Sequence, residues 1–243
     1  MMKTLLWRGM LAGLVGAFVA ATFALLFAEP QIDAAIALEA QHAAHAAGAM
    51  PHAELVSRAT QKTWGLFTAM GLYGTALGGL LAIVFAGLYG RVVRIGPRSL
   101  ALLLALGAFV AIVLVPAIKY PPTPPAVGLH ETVRLRTAAY FAMLAVSLLA
   151  ASGALWAWRR LADRCGAVDR LLIASGIYVG AVALLQHLLP VIDEVPGDFP
   201  ATLLWQFRLG SIAAQGVFWL VTADLFGRSA ERLFLAAGHR VRR

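Results

Sequence analysis

Six long apolar runs, separated by polar segments, dominate the pattern of this 243-residue chain. Each run is about 18 to 26 residues long, and a helix that rises 1.5 Å per residue needs about 20 residues to cross the hydrocarbon core of a bilayer. None of the runs alternates between polar and apolar residues as a strand does. We therefore predict an all-α, polytopic membrane protein, a bundle of six transmembrane helices near residues 5–28, 64–89, 100–118, 137–158, 171–189 and 202–226.

A single integral membrane domain is predicted over residues 1–243. Its outer loops are residues 29–63, 119–136 and 190–201. The first apolar run follows Lys3 and Arg8, as in a secretory signal, but it is longer than the apolar core of a signal. The residues FAEP at its end make a poor cleavage site. We therefore expect this run to be retained as the first transmembrane helix.

Charged residues are distributed unevenly between the two sides of the predicted bundle. With a cytoplasmic N-terminus, the inner segments hold fourteen of the twenty Lys and Arg residues, and such an excess marks the cytoplasmic side. Both termini are therefore predicted to be cytoplasmic.

Eight of the twelve acids lie on the predicted outer side: Glu29, Asp33, Glu39, Glu54, Glu131, Asp193, Glu194 and Asp198. Five of the six histidines lie there or at its boundary: His42, His45, His52, His130 and His187. The outer face is thus predicted to be rich in oxygen and nitrogen ligands.

The composition excludes several classes of protein. Hydrophobic residues make up 60% of the chain and charged residues 13%, which is outside the usual balance of soluble proteins. The net charge of +8 is not gathered into a basic segment with interleaved aromatics, so no nucleic-acid partner is predicted. The chain lacks a GxxxxGK phosphate-binding motif, and its single Cys165 excludes an internal disulfide. No histidine has a nucleophile at helical spacing, so we predict that the chain is not an enzyme.

The first outer loop carries a spacing that suits metal binding. Glu39, His42 and His45 follow one another at intervals of three in QIDAAIALEAQHAAHAA, which predicts a short helix that ends before Pro51. His52 follows directly. Imidazole with a carboxylate suits borderline divalent ions such as Co²⁺, Ni²⁺ or Zn²⁺. The alternative is a polar, alanine-rich surface segment that binds no metal.

The third outer loop belongs to the segment Leu189–Arg208, LPVIDEVPGDFPATLLWQFR, which is acidic and contains three prolines. Asp193 and Glu194 lie on the side of His187, at the outer end of the fifth helix. These three residues are predicted to contribute to a metal site, because ionisable groups at a membrane span often face a wet cavity. A hydrogen-bonded structural role is the alternative for His187.

The last helix is predicted to begin near Asp198, which would cap it, with Phe199 and Pro200 in the first turn. Arg208 would then lie about 15 Å along the helix, near the membrane boundary. Its predicted partners are Asp193, Glu194 and Glu131. The segment is therefore expected to form an ordered lid on the outer face.

Small and polar residues within the spans suggest how the bundle packs. Three pairs of glycines at a spacing of four permit close helix approach: Gly9 and Gly13, Gly74 and Gly78, and Gly176 and Gly180. We predict that they pack inside the bundle rather than against a partner helix. At the inner end, Asp224 is predicted to be neutralised by Arg228. The candidates to line an ion path are Thr68, Thr75, Ser147, Ser175, Ser211, Gln215 and Thr222.

Three blocks of the sequence together resemble the CbtA family of predicted cobalt transporter subunits. They are FAEPQIDAAIALEAQ after the first helix, VPAIKYPPTPPAVG followed by RTAAYFAML, and LPVIDEVPGDFPATLLWQFRLGSIAAQ. The resemblance covers most of the chain, up to Gly227. It implies a protein of the bacterial inner membrane that takes up cobalt for cobalamin synthesis. It also implies a companion, CbtB, a small single-span protein with its own histidines.

The residues and the resemblance together predict a subunit for the uptake of a divalent metal ion. Co²⁺ or Ni²⁺ is the expected transported ion, and no cofactor is predicted. The ion would pass from the outer ligands into the bundle near His187, and a partner or a homo-oligomer would complete its path. The alternative is a non-transporting scaffold whose ordered outer loops dock another membrane protein. An intramembrane enzyme has no supporting constellation of residues.

Overall fold

The structure, a computed structural model, describes residues 1–45, 56–91, 95–128 and 130–237. The protein is 83% helical, and the described residues contain no strand. Seven helices are described: α1 (Met2–Phe27), α2 (Glu29–His45), α3 (Arg58–Leu88), α4 (Pro97–Lys119), α5 (Val133–Arg160), α6 (Ala167–Leu188) and α7 (Ala201–Ala236). A short 3-10 turn, His130–Thr132, precedes α5.

Six of these helices, all except α2, are long and apolar enough to cross a membrane. They coincide with the six apolar runs, so the predicted all-α fold with six spans is confirmed. α2 is the short helix predicted in the first outer loop. Most spans begin before their apolar run, and α7 continues past Phe226 to Ala236. The charged residues that bound an apolar run can therefore still belong to the helix, because charged side chains such as Arg and Lys favour helix.

The chain divides into two compact units, with a boundary inside α4. Unit 1 consists of the described parts of Met1–Gly107, Pro124–Ala126 and Pro200–Arg243, and unit 2 of those of Ala108–Thr123 and Val127–Phe199. Unit 1 thus contains α1, α2, α3, the first half of α4 and α7. Unit 2 contains the second half of α4, α5 and α6, together with most of the second and third outer loops.

Glycines bring the backbones of α1 and α3 into contact in unit 1. A Cβ atom added at Gly13 would lie 2.1 Å from the carbonyl oxygen of Gly74, and one added at Gly78 would lie 2.2 Å from that of Gly9. No side chain larger than hydrogen fits at such a distance. The two glycine pairs therefore interlock, which confirms the predicted internal packing for both of them.

Aromatic residues explain why α7 extends beyond its apolar run. Phe85 of α3 packs edge to face against Phe226, with 5.1 Å between the ring centroids. About two turns further along α7, Phe234 stacks on Tyr89, with 4.6 Å between the ring centroids. Phe85, Phe226 and Phe234 are all buried in the core of unit 1. The last turns of α7 are therefore held by packing, although their other faces carry charge.

Two arginines neutralise Asp224 on α7. Arg228, four residues further along the helix, donates from Nε to Asp224 Oδ2 at 2.8 Å, as predicted from the sequence. Arg98 of α4 donates to Asp224 Oδ1 at 2.6 Å from a guanidinium nitrogen, a pairing that the sequence does not indicate. The carboxylate thus joins α4 to α7 within unit 1.

Pro116 changes the hydrogen bonding of α4 in unit 2. The segment Phe109–Leu114 forms a π-helix, in which a carbonyl accepts from the amide five residues later. For the Ala111 carbonyl that amide belongs to Pro116, which has no N–H to donate. The buried Ser147 of α5 donates its hydroxyl to the Ala111 carbonyl instead, at 2.8 Å. Ser147 therefore satisfies a backbone group that would otherwise be unpaired in a membrane span.

α6 is the least enclosed of the six spans, since none of its residues is buried. It packs beside α5, where the Tyr178 and Ser147 hydroxyls lie 2.9 Å apart. A Cβ atom added at Gly176 or Gly180 would meet no atom of the described residues within 4 Å. Within unit 2, no described helix therefore lies against that face of α6, and the internal packing of this third glycine pair stays a prediction.

Candidate metal and transport site

The first set of predicted metal ligands lies on α2. Glu39 and His42 are one turn apart on this helix, and both are exposed. α2 also includes His45, but the side chain of His45 and the whole of His52 lie outside the described residues. The helix thus places a carboxylate and an imidazole at neighbouring positions on its surface.

A network of four charged residues, which the sequence does not single out, ties α2 to the start of α3. Arg58 donates from Nε to Asp33 Oδ1 at 3.0 Å and from Nη2 to the carboxylate of Glu29, a buried residue. Lys62 Nζ donates to Asp33 Oδ2 at 3.1 Å. The paired residues are 25 to 29 positions apart in the chain. The network holds the ligand-bearing helix in place on unit 1.

The pKa of Asp33 makes this network sensitive to acid. Hydrogen bonds from Lys62 and Arg58 hold the pKa of Asp33 below its usual 3.8, against the opposing effect of partial burial. Because the folded-state pKa is depressed, the stabilisation is complete above pH 3.8 and is lost as the pH falls through the folded pKa. We expect the thermal unfolding temperature to fall more steeply below pH 3.8 in the wild type than in Asp33→Asn. Parallel curves for the two proteins would contradict this assignment.

Glu194 is the most enclosed of the predicted ligands. Its side chain is 4% exposed, and its carboxylate accepts hydrogen bonds from Arg136 and from the Thr132 hydroxyl. Gly128, with a φ of +126°, makes room for this pair. A Cβ atom at Gly128 would lie 2.9 Å from Arg136 Nη1 and 3.2 Å from Glu194 Oε2. Glu194 thus holds the third outer loop against the start of α5.

Glu194, one of the three predicted partners of Arg208, has its ion-pair partner within its own unit. Arg136, on the first turns of α5, neutralises Glu194 within unit 2. The Nε atom of Arg208 on α7 is buried and has no hydrogen-bond partner in the structure, and no ion pair of Arg208 is found among the described residues. Several arginines are predicted at the outer boundary of the bundle, and hydropathy alone does not show which of them pairs with Glu194.

Three hydrogen bonds fix the start of the third outer loop to the end of α4. Lys119 Nζ donates to the Gln186 carbonyl at 2.6 Å, and the Tyr120 hydroxyl donates to the Pro190 carbonyl at 2.8 Å. The Gln186 side chain in turn donates to the Val115 carbonyl at 3.2 Å. Burial raises the pKa of Tyr120 above its usual 10.0, so its hydroxyl remains a donor at neutral pH. Sequence reasoning missed these contacts because every acceptor is a backbone carbonyl.

His187 and Asp193 remain exposed near this anchored base. His187 lies in the last turn of α6, and Asp193 lies in the loop that follows. Asp193 Oδ1 accepts from the amide of Val195 at 3.3 Å, a local turn contact. Within the part of the chain that the structure describes, no three His, Cys, Asp or Glu residues are grouped closely enough to hold a metal ion. Those predicted ligands whose side chains the structure describes therefore lie singly or in pairs.

Asp198 is not the N-cap residue of α7, contrary to prediction. The helix begins at Ala201, and Pro200 is its N-cap residue. Pro200 has an extended backbone conformation, with φ −61° and ψ 115°, so it cannot belong to the first turn. The ring of a proline disfavours helical geometry in the residue before it, which moves the start of the helix beyond Asp198 and Phe199.

Four polar atoms on α7 are buried without a hydrogen-bond partner in the structure: Arg208 Nε, Gln215 Oε1, Trp219 Nε1 and Thr222 Oγ1. At 3.6 residues per turn, these four positions fall within about 60° of one another around the helix. They extend over about 21 Å along its axis, which is most of the roughly 30 Å thickness of a bilayer core. We refer to these four residues as the α7 stripe.

The C-terminal end of the α7 stripe is its most enclosed part. Thr222 is fully buried, and Trp219 is 4% exposed. The Thr222 hydroxyl packs directly against α1 because α1 has a glycine there, since a Cβ atom at Gly16 would lie 2.2 Å from Thr222 Oγ1. A buried polar group without a partner costs about 1–3 kcal/mol, so four on one face of a membrane helix require an explanation.

Two of the seven residues predicted to line a path, Gln215 and Thr222, belong to the α7 stripe. Thr75 donates its hydroxyl to a carbonyl of its own helix at 2.7 Å, and Ser147 satisfies the backbone of α4. Of the remaining three, Thr68 and Ser175 are exposed and Ser211 is half-buried. Among the seven predicted residues, only Gln215 and Thr222 thus have a buried polar atom without a hydrogen-bond partner in the structure, and both lie on the same face of α7.

The six long apolar helices define a multi-pass membrane protein. Over residues 2–231 the chain matches the family model described as "Probable cobalt transporter subunit (CbtA)", and it belongs to that family. The resemblance carried by the three sequence blocks is thus confirmed. The family's description as a subunit implies further subunits as partners, and the six spans imply a lipid bilayer. No protein of curated function and no solved structure matches the chain.

Proposed function

We propose that this protein is a subunit through which Co²⁺, or Ni²⁺, crosses the bacterial inner membrane into the cytoplasm. The family to which the chain belongs supports the metal, and the six spans support a multi-pass membrane protein. In this proposal the two units act as one membrane domain with both termini cytoplasmic, in accordance with the positive-inside rule. A small single-span, histidine-bearing partner of the CbtB type, or a second copy of the chain, completes the transporter that supplies cobalt for cobalamin synthesis.

The single observation that carries the proposal is the α7 stripe. Polar side chains in a membrane span are costly, and they usually face water or a transported solute. Gln215 Oε1 and Thr222 Oγ1 are acceptors that can meet the outward-pointing hydrogens of a hydrated metal ion. Arg208 and Trp219 contribute N–H donors, which are satisfied by water oxygens and cannot ligate a cation. The stripe therefore fits a water-containing path better than a dry coordination site.

Capture of the ion is proposed for the outer face. The proposed ligands are Glu39, His42, His45, His52, His187 and Asp193, and the seventh predicted residue, Glu194, supports them. Imidazole and carboxylate groups suit Co²⁺ and Ni²⁺ alike, so ligand type does not select between the two ions. Since Glu194 already accepts from Arg136 and Thr132, its main contribution is to position the loop that carries the exposed Asp193. Weak, dispersed ligands suit a transporter, which must also release its ion.

Proteoliposomes that contain the purified chain, with and without its small partner, test this proposal through the entry of Co²⁺ to an enclosed metal indicator. Thr222→Val and Gln215→Leu are each expected to slow Co²⁺ entry about tenfold or more. A hydrogen bond to a charged group contributes about 1.5–3 kcal/mol, and a tenfold change in rate corresponds to about 1.4 kcal/mol. Thr222→Val is expected to leave thermal stability unchanged or higher, because the hydroxyl that it removes has no partner.

Thr75→Val is the matched control, since the hydroxyl of Thr75 is already bonded within its own helix. It is expected to leave Co²⁺ entry within about twofold of the wild type. If Thr222→Val and Gln215→Leu also leave entry unchanged, the stripe is not the path. If no preparation admits Co²⁺, and the chain instead forms a stoichiometric complex with another membrane protein, the scaffold function is favoured.

A further inference from the structure

The last two turns of α5 line a cavity in unit 2 that the transport function does not use. Its volume is about 440 Å³. The lining residues all lie on one face of the helix: Ser152, Leu155, Trp156, Arg159 and Arg160. This face is apolar toward the middle of the span and carries two guanidinium groups at its end. No acidic side chain is among these lining residues.

A stacked ring orients one of the two guanidinium groups. The Arg160 guanidinium carbon lies 5.6 Å from the centroid of the Trp156 ring, within the range of a cation–π contact. Trp156 is 62% exposed, so this contact is not a consequence of close packing in a core. Arg159 is also exposed, and neither arginine forms an ion pair within the described part of the chain. Both charges are therefore accessible to an anion that enters the cavity.

The cavity lies at a membrane interface. α5 has 28 residues and is about 42 Å long, so it exceeds a bilayer core of roughly 30 Å and its ends reach the headgroup region. Tryptophan is enriched at that depth. A second pair of the same kind lies nearby, since Arg170 at the start of α6 stacks on Trp158 at 4.7 Å. The end of α5 thus has the aromatic and basic residues that are typical of a lipid-contacting boundary.

We propose that this cavity binds the phosphate headgroup of an anionic phospholipid, such as phosphatidylglycerol. The Arg159 and Arg160 side chains would bind the phosphate oxygens, for which guanidinium geometry is suited. An acyl chain would then follow the apolar face of α5 past Trp156 and Leu155. The C-terminal end of a helix carries about half a negative charge, which opposes an anion there. Two full positive charges outweigh this effect.

A lipid explains this cavity better than a free phosphate ion does. Phosphate alone would use the two arginines but would leave Leu155 and the exposed ring of Trp156 in contact with water. A phospholipid fits both the two arginines and the apolar face. Its charged headgroup would lie at the end of α5, and its acyl chain would lie toward the middle of the span. The proposal does not depend on metal transport, and it holds for either orientation of the chain in the membrane.

Titration of the purified full-length protein with short-chain lipids, followed by native mass spectrometry, tests this site. The wild type is expected to bind phosphatidylglycerol at least tenfold more tightly than phosphatidylcholine. Each surface arginine contributes about 1 kcal/mol to the attraction of an anionic lipid, and about 1.4 kcal/mol corresponds to a tenfold change in affinity, so Arg159→Gln with Arg160→Gln is expected to weaken phosphatidylglycerol binding about thirtyfold. Trp156→Leu, which keeps both charges, is expected to weaken it by about threefold.

Arg134→Gln is the matched control, because Arg134 is an exposed arginine at the opposite end of the same helix. It is expected to leave phosphatidylglycerol binding unchanged, and circular dichroism should show the same helical content in all variants. Equal binding by the double variant and the wild type would overturn the proposal. So would equal affinity for phosphatidylcholine, or inorganic phosphate that binds as tightly as phosphatidylglycerol, since the latter would make this a site for a free anion.

Discussion

Replacement of Gly78 by alanine is expected to force α1 and α3 apart and to lower the free energy of unfolding by about 3 kcal/mol or more. The added Cβ atom would lie 2.2 Å from the Gly9 carbonyl oxygen and 2.8 Å from the Gly13 Cα atom. Both are backbone atoms, so rotation of a side chain cannot relieve the overlap. In a bilayer, helix association depends on such close packing because lipid is as apolar as the helix surface.

Gly176→Ala in α6 is the matched control for this prediction. Gly176 and Gly180 have the same spacing as Gly74 and Gly78, but a Cβ atom at Gly176 meets no described atom within 4 Å. We expect the free energy of unfolding to change by less than about 1 kcal/mol, in the stabilising direction, because alanine favours helix over glycine. Unfolding of both variants by SDS in mixed micelles measures the difference. Equal losses in the two variants would contradict the interlocked arrangement of α1 and α3.

Replacement of Glu194 by leucine is expected to lower the free energy of unfolding by about 3 kcal/mol. Removal of one partner from a buried ion pair typically costs about 3–5 kcal/mol, because the other charge remains uncompensated. The lower end of that range applies because the Arg136 side chain is 30% exposed and retains some water. The third outer loop should detach from α5 in this variant. Proteolysis of the loop and thermal unfolding both measure the effect.

The double variant Glu194→Leu with Arg136→Leu is expected to recover most of this loss, since neither charge is then left unpaired. Asp193→Asn serves as the control for the neighbouring acid, which is exposed and contacts only the Val195 amide among the described residues. It is expected to change stability by less than about 0.5 kcal/mol. Addition of Co²⁺ should not alter the difference between Glu194→Leu and the wild type. A loss of stability that appears only with Co²⁺ present would identify Glu194 as a metal ligand instead.

The six spans were predictable from the sequence because hydropathy is a local property. A run such as Trp64–Tyr89 needs no knowledge of its neighbours to be recognised as apolar and long enough to cross a bilayer. The ends of the helices were less predictable. α7 runs on to Ala236 because Phe234 stacks on Tyr89, a residue of a distant segment. Pro200 shortens the same helix at its start, and that effect is visible in the sequence.

The roles of the polar residues were harder to predict because they depend on partners that are remote in the chain. Ser147 resembled a path-lining residue, but it supplies the donor that Pro116 cannot supply to the Ala111 carbonyl. Glu194 resembled a metal ligand or a partner of Arg208, but it is paired with Arg136. Only burial and the absence of partners distinguish Thr222 from Thr75, which has the same side chain in another span.

The sequence by itself determined the class of the protein, its six spans, the excess of acids and histidines in the predicted outer segments, and the family. Each of these depends on residue type and local spacing. The tertiary structure alone decided that the glycines of α1 and α3 interlock, and that Arg136 neutralises Glu194. It also showed that four unpaired polar atoms share one face of α7. The physical reason is that a hydrogen bond or a close contact depends on two residues that can be remote in the chain. Hydropathy, by contrast, is a property of one local stretch of sequence.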